Sequence, residues 1–104
     1  MTTTTKEMKI EVAKEITNQI GRKALFMIGA KNYAYDNNMI VFKIMRNSMK
    51  VSHIRITLNV MDLYDVEFLN CRAGNVKTIS EENGIYDNML KGAIERNTGL
   101  FTNL

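Results

Sequence analysis

The chain contains no proline, one histidine, one cysteine and six glycines, and the glycines form no phosphate-binding loop. Without proline, linkers or repeats, its 104 residues predict a single domain spanning 1–104. Because Cys71 is the only cysteine, no internal disulfide can form, and a reducing cytoplasm is the expected setting. No apolar run is long enough to cross a membrane, and the polar Thr2–Thr5 start argues against a secretory signal. We therefore expect a cytoplasmic protein with no membrane partner.

Few residues are suited to catalysis. His53 has no partners at metal-ligand spacing and is interpreted as a surface residue of a strand. Cys71, beside Arg72, has either an activated thiolate or, as the simpler interpretation, an inert half-buried thiol. These residues indicate no nucleophile–base pair, and we predict that the protein is not an enzyme.

Three acids, Asp62, Asp65 and Glu67, lie close together in the sequence and are residue types that bind Mg²⁺ or Ca²⁺. The segment lacks the alternating ligands and central glycine of a calcium loop. We predict no metal site and no cofactor.

The clearest structural pattern is a β-hairpin over 53–59 and 64–68, where apolar residues occupy the even positions. Pairing residues whose numbers sum to 122 places Ile56 opposite Val66 and Arg55 opposite Glu67. A slip of one residue would expose the whole apolar set, so this register is strongly specified.

Helical patterns flank the predicted strands. Met8, Val12, Ile16 and Ile20 recur every four residues, which predicts an amphipathic helix over 1–21. An antiparallel sheet is predicted over 24–79, beginning with the apolar run 25–28 and ending with a strand at 76–79.

A second helix is predicted over 84–98, with Asn83 as its N-cap and Gly99 as a left-handed C-cap. Together the patterns predict an α+β fold: one two-layer domain built as helix, four or five mostly antiparallel strands, and helix.

Charge is unevenly distributed along the chain. The net charge is +3, yet residues 22–55 hold seven Lys/Arg against Asp36 alone, or +6. Residues 56–104 hold four Lys/Arg against seven acids, or −3. These charges either lie on ordinary solvated sheet faces or form a basic patch for an acidic partner.

Aromatic residues lie among these cations, an arrangement that suits single-stranded nucleic acid. Tyr33 and Tyr35 share strand parity, so both are either core or exposed. The aromatic motif of RNA-recognition sheets is absent. The candidate partner-binding residues are Arg22, Lys23, Lys31, Tyr33, Tyr35, Lys43, Arg46, Lys50 and Arg55.

Eight methionines are many for this length. They either form an adaptable binding surface or, as we favour for most of them, fill the core.

Five blocks together resemble a family of small, mostly uncharacterised proteins encoded by bacteriophages and integrative elements. The blocks are Gly29–Asn32, Val41–Ile44, His53–Asn59, Asp62–Phe68 and Thr98–Leu100, within 22–104. The resemblance implies a mobile genetic element in a bacterial cytoplasm and carries over no catalytic residue.

In that setting we expect a non-enzymatic accessory protein that binds a host macromolecule stoichiometrically and inhibits a host defence complex, as anti-CRISPR proteins do. The alternative is a single-stranded nucleic-acid-binding accessory protein in replication or recombination of the element. The expected partner is a host defence protein, a ribonucleoprotein complex or nucleic acid, bound by a monomer or small homo-oligomer.

Overall fold

The computed structural model describes the backbone of residues 2–102 and the side chains of residues 11–102. The helices are α1 (Thr2–Ile20), α2 (Arg22–Met27) and α3 (Leu90–Thr98), with one 3₁₀ turn (Asp87–Met89) before α3. The strands are β1 (Lys31–Asp36), β2 (Met39–Lys43), β3 (His53–Leu58), β4 (Tyr64–Arg72) and β5 (Asn75–Ile85). They form one antiparallel sheet in the order β1-β2-β3-β4-β5, which confirms the α+β fold.

The central hairpin, β3 and β4, has the predicted register. Ile56 lies opposite Val66, and Arg55 lies opposite Glu67. The even-numbered residues face the helices and are buried, except for Leu58, which is partly buried, whereas Arg55 and Glu67 face away from them. The predicted hairpin is therefore confirmed, because only this register places every large apolar side chain on the covered face.

The core lies between one face of the sheet and the helices. Its largest side chains from the sheet are Phe42, Ile54, Ile56, Val66 and Phe68, and from the helices Ile16, Ile20, Leu90 and Ile94. The predicted helical stripe is confirmed at Ile16 and Ile20, while the side chain of Met8 lies outside the described residues. The opposite face of the sheet is uncovered, which gives a two-layer domain.

The predicted first strand, 25–28, is wrong. These residues belong to the short helix α2 and its C-terminal end. Ala24, Leu25 and Ile28 are buried while Phe26 is exposed, a spacing that fits a helix and not a strand. Four-residue apolar runs do not distinguish the two structures, and packing against α1 decides here.

The boundary between sheet and second helix is also wrong in the prediction. The last strand does not end at 79 but continues to Ile85, which pairs with Tyr64 at the start of β4. Asn83 therefore lies in β5 and is not an N-cap, and the helix begins at Leu90 instead of 84. The long β4 offers a partner along its whole length, and those ladder bonds override the local helical spacing.

The C-terminal end of α3 agrees with the prediction. Gly99 caps the helix in the left-handed conformation (φ +75°), and its N–H donates to the Glu95 carbonyl. Beyond it, the backbone N–H and hydroxyl of Thr102 both donate to the Glu95 carboxylate. These hydrogen bonds hold the pKa of Glu95 below its ordinary value and tie the segment after α3 to that helix.

Candidate functional site

A basic cleft lies at one end of the sheet and has a cavity volume of about 670 Å³. Its cations are Lys31, Lys43, Arg46, Lys50 and Arg72. The rest of its described lining consists of Gly29, Ile44, Met45, Asn47, Val51, Ser52 and Asn70. Among the described residues, no acidic side chain lines the cleft.

The antiparallel topology brings these cations together. In such a sheet, the first residues of β1 and β3 lie at the same end as the last residues of β2 and β4. Lys31 begins β1, Lys43 ends β2 and Arg72 ends β4. The connection from 44 to 52 crosses this end and adds Arg46 and Lys50.

Asn47 fixes the shape of that connection. Its side-chain amide donates to the carbonyls of Met45 (2.9 Å) and Val51 (2.7 Å), and its Oδ1 accepts from Val51 N–H (3.1 Å). From β4, the amide of Asn70 donates to the Lys50 carbonyl (2.7 Å). These hydrogen bonds position the cations before any ligand arrives, which lowers the entropic cost of binding.

Within residues 2–102, three of the four non-glycine residues with positive φ adjoin the cleft. Lys50 itself has φ +61°, Asn32 (φ +56°) follows Lys31, and Ala73 (φ +50°) follows Arg72. The left-handed region costs an L residue other than asparagine or aspartate about 1–2 kcal/mol. The fold thus carries strain beside the side chains that line this cleft, as is common at binding sites.

Like charges face each other in the cleft. Lys31 and Lys43 are direct partners in the β1–β2 pair, where side chains lie about 5 Å apart and like charges destabilise a sheet. The ion pairs formed between described side chains, Arg55 with Glu67 and Arg96 with Glu82, include no cation of the cleft. The cleft is consequently a region of uncompensated positive potential.

The pKa of His53 is lowered beside this cleft. His53 is the ladder partner of Lys43, and burial together with the charge of Lys43 lowers its pKa below the ordinary value. Its Nδ1 lies 2.8 Å from the hydroxyl of Ser52, which also accepts from Cys71 N–H. Both candidate catalytic residues, His53 and Cys71, are thus linked to one serine that holds β3 to β4.

The predicted site residues of β1 lie on both faces of the sheet. A bulge between Lys31 and Ala34 places Lys31 on the uncovered sheet face, whereas Tyr35, opposite Ile40, lies on the helical side. Tyr33 also lies there, with its ring 5.5 Å from that of Phe42. Of the nine candidate partner-binding residues, the structure brings together Lys31, Lys43, Arg46 and Lys50 at the cleft.

The remaining predicted cations, Arg22, Lys23 and Arg55, lie at three separate places outside the cleft. Arg22 lines a separate groove with the two tyrosines, and exposed Lys23 lines neither cavity. Arg55 forms a bidentate pair with Glu67, with both N···O distances 2.8 Å. Exposed ion pairs of this kind contribute about 0–1 kcal/mol to the free energy of unfolding. The Glu67 carboxylate compensates the charge of Arg55, so Arg55 adds no free positive charge for binding a partner.

Sequence reasoning missed Arg72, Asn47 and Asn70. Arg72 lies in the acidic part of the chain, so a charge count by segment separated it from the cations that it joins in space. The β4 strand brings it there, because β4 continues four residues beyond the apolar alternation that ends at Phe68.

The three acids near the hairpin loop do not converge. Glu67 is bound by Arg55, and Asp65 accepts hydrogen bonds from Asn59 and from Gly84 N–H. Among the residues described, no group of three His, Cys, Asp or Glu side chains could hold a metal ion.

Four of the six methionines whose side chains are described lie at the surface, which contradicts the predicted core role. Met45, Met49, Met61 and Met89 are exposed, and Met27 and Met39 are partly buried. Isoleucine, leucine, valine and phenylalanine fill the core positions instead.

Comparison with protein-family models, curated proteins and solved structures finds no match to this chain. No helix within residues 2–102 is both long and apolar enough to cross a membrane.

The pKa of His53 gives a pH prediction. Because folding lowers this pKa, the folded state favours neutral His53, and stability falls as pH drops from above about 6.5 through the folded-state pKa. We expect the wild type to lose more unfolding free energy between about pH 7.5 and pH 5 than His53→Gln. Equal losses in denaturant titrations of the two proteins would contradict the lowered pKa.

Proposed function

We propose that this protein is a non-enzymatic accessory protein that binds an anionic surface of a host macromolecule in stoichiometric amounts through the basic cleft. The observation that supports the proposal is a preformed cleft with five cations and, among its described lining residues, no carboxylate. The resemblance to phage and mobile-element proteins supplies the setting, a bacterial cytoplasm, and the partner, a host defence complex.

Phosphate is the anion that best suits the cleft. Arg46 and Arg72 offer planar guanidinium groups that bind phosphate oxygens in pairs, and the three lysines add mobile point charges. A ribonucleoprotein complex exposes such phosphates on its RNA. Covering them would inhibit the complex without any chemical step.

Binding of free single-stranded nucleic acid is the second candidate. It is favoured by the number of cations in the cleft, because five neighbouring cations suit successive phosphates of one strand, whereas Tyr33 and Tyr35 lie on the other face of β1. If five cations each contact one phosphate, the logarithm of affinity for a single strand should fall with the logarithm of salt with a slope of about 3.5.

The test reverses two charges of the connection. Arg46→Glu combined with Lys50→Glu should reduce affinity for the co-purifying host complex, or for oligo(dT), by roughly 100-fold while the melting temperature changes little. Lys77→Glu combined with Lys91→Glu is the matched control, since both lysines are exposed and lie outside the cleft. Equal affinity of the two double variants would remove the cleft from the proposal.

Titration distinguishes binding from catalysis. Inhibition of the complex should saturate at a fixed ratio of protein to target and should not increase with incubation time. His53→Ala with Cys71→Ala should retain activity, because neither residue lines the cleft. Inactivation by substoichiometric protein would contradict the proposal.

A further inference from the structure

A second cavity, the apolar groove, lies between the two N-terminal helices and β1 and has a volume of about 670 Å³. Its floor is aliphatic and its outer wall aromatic. The described lining is Ala13, Leu25, Ala30 and Ile40 with Phe26, Tyr33 and Tyr35, and the polar rim is Lys14, Thr17, Asn18 and Arg22.

The aromatic side chains of the groove are unusually exposed. Phe26 is 83% exposed in a helix of six residues, and Tyr33 and Tyr35 are each 45% exposed. Burying a phenylalanine contributes about 1.5–3 kcal/mol, so leaving it in water forgoes a substantial stabilisation of the fold. Aromatic residues beside an arginine are the composition typical of protein-binding hot spots.

The charge of the groove selects the partner. Lys14 and Arg22 lie on its rim, and no acidic residue is found in its described lining. Neither cation forms an ion pair with another described side chain. An occupant with carboxylates beside its apolar groups would match both the floor and the rim.

The outer edge of β1 offers main-chain hydrogen bonds. β1 is the first strand of the sheet, and the two-residue turn Asn37-Asn38 pairs Asp36 with Met39. In such a hairpin the residue before Asp36, which is Tyr35, directs its backbone N–H and C=O away from the partner strand β2. The same residue's side chain lines the groove, so an added strand would place alternate side chains in the cavity.

Stacked bases suit the groove less well than aliphatic side chains. The Tyr33 ring packs at 45° on Phe42, so part of its face is already covered, and the floor beneath is aliphatic. Nucleic-acid platforms instead present open aromatic faces to successive bases.

We propose that the apolar groove binds an extended segment of a partner protein that adds as a strand to β1 and carries apolar and acidic side chains on the same strand face, at every second position. The apolar side chains occupy the floor, and the carboxylates pair with Lys14 and Arg22. This contact is independent of the basic cleft, because Arg22, Tyr35 and Phe26 line only the groove.

The test titrates synthetic heptapeptides into the ¹⁵N-labelled full chain. In the acetylated and amidated peptide Glu-Thr-Phe-Thr-Val-Thr-Glu, the two glutamates share one strand face with the phenylalanine and the valine. This peptide should shift the amide signals of Tyr33, Tyr35 and the groove floor. The matched peptide Lys-Thr-Phe-Thr-Val-Thr-Lys should bind at least 10-fold more weakly, and a backbone N-methylated glutamate peptide should lose most of its affinity.

Two adjacent cations provide a matched pair of variants. Arg22→Glu should lower affinity for the glutamate peptide at least 10-fold, whereas Lys23→Glu should change it less than twofold because Lys23 does not line the groove. Phe26→Ala should also weaken binding and, as its side chain is exposed, should leave the melting temperature unchanged.

Equal binding of the glutamate and lysine peptides would overturn the proposal, as would shifts confined to the basic cleft or the absence of any shift at millimolar peptide. If oligo(dT) shifts the groove signals and the glutamate peptide does not, the groove binds nucleic acid and the proposal is likewise wrong. Arg46→Glu with Lys50→Glu tests the cleft alone and should leave peptide binding intact.

Discussion

Replacing Phe68 by alanine is expected to lower the free energy of unfolding by about 3–5 kcal/mol, the usual cost of truncating a buried phenylalanine. Phe68 is fully buried in β4, with Ile54 and Ser80 as its ladder partners on either side. Because β4 has a strand on both sides, neighbouring side chains cannot readily move into the space left by the ring. Denaturant unfolding monitored by circular dichroism measures the loss.

Val76→Ala is the control for this prediction. Val76 begins the neighbouring strand β5, and its side chain is 65% exposed. Its truncation should change stability by less than about 0.5 kcal/mol. A comparable loss for both variants would mean that Phe68 does not lie in a close-packed core.

Replacing Gly29 by alanine is expected to destabilise the protein by about 2–5 kcal/mol, for two physical reasons that add. The residue has φ +69°, a conformation that is costly for alanine. In addition, an added Cβ would lie 2.9 Å from the Cβ of Met45 and 3.3 Å from its backbone nitrogen. Met45 N–H donates to the Ile28 carbonyl, so this contact also holds the wall of the basic cleft.

Gly74→Ala separates the two causes. Gly74 also has a positive φ (+81°), but nothing lies within 4 Å of an added Cβ. This variant should lose only the conformational cost, about 1–2 kcal/mol. Gly29→Ala should also weaken ligand binding at the cleft, because Met45 would have to move. Equal stability losses at the two glycines would show that the approach of Met45 is looser than the structure indicates.

Period-two patterning predicted the register of the central hairpin correctly, because each apolar side chain has one covered face to occupy, although β4 continues beyond Phe68 to Arg72. Local chemistry also sufficed at the left-handed cap Gly99, where glycine itself favours the backbone conformation. It failed for α2 and for the end of β5. At α2 a short apolar run fits a helix and a strand equally well, and at the end of β5 the mostly polar residues 80–85 carry no clear period, so contacts with α1 and β4 decide.

The cations of the basic segment were evident from the sequence alone, and so was the shortage of residues suited to catalysis. Which cations act together was decided by the tertiary structure. The bulge in β1 turned Lys31 away from Tyr33 and Tyr35, and Glu67 neutralised Arg55. The antiparallel ladder brought Arg72 beside residues about 30 positions earlier, because charge acts through space and not along the chain.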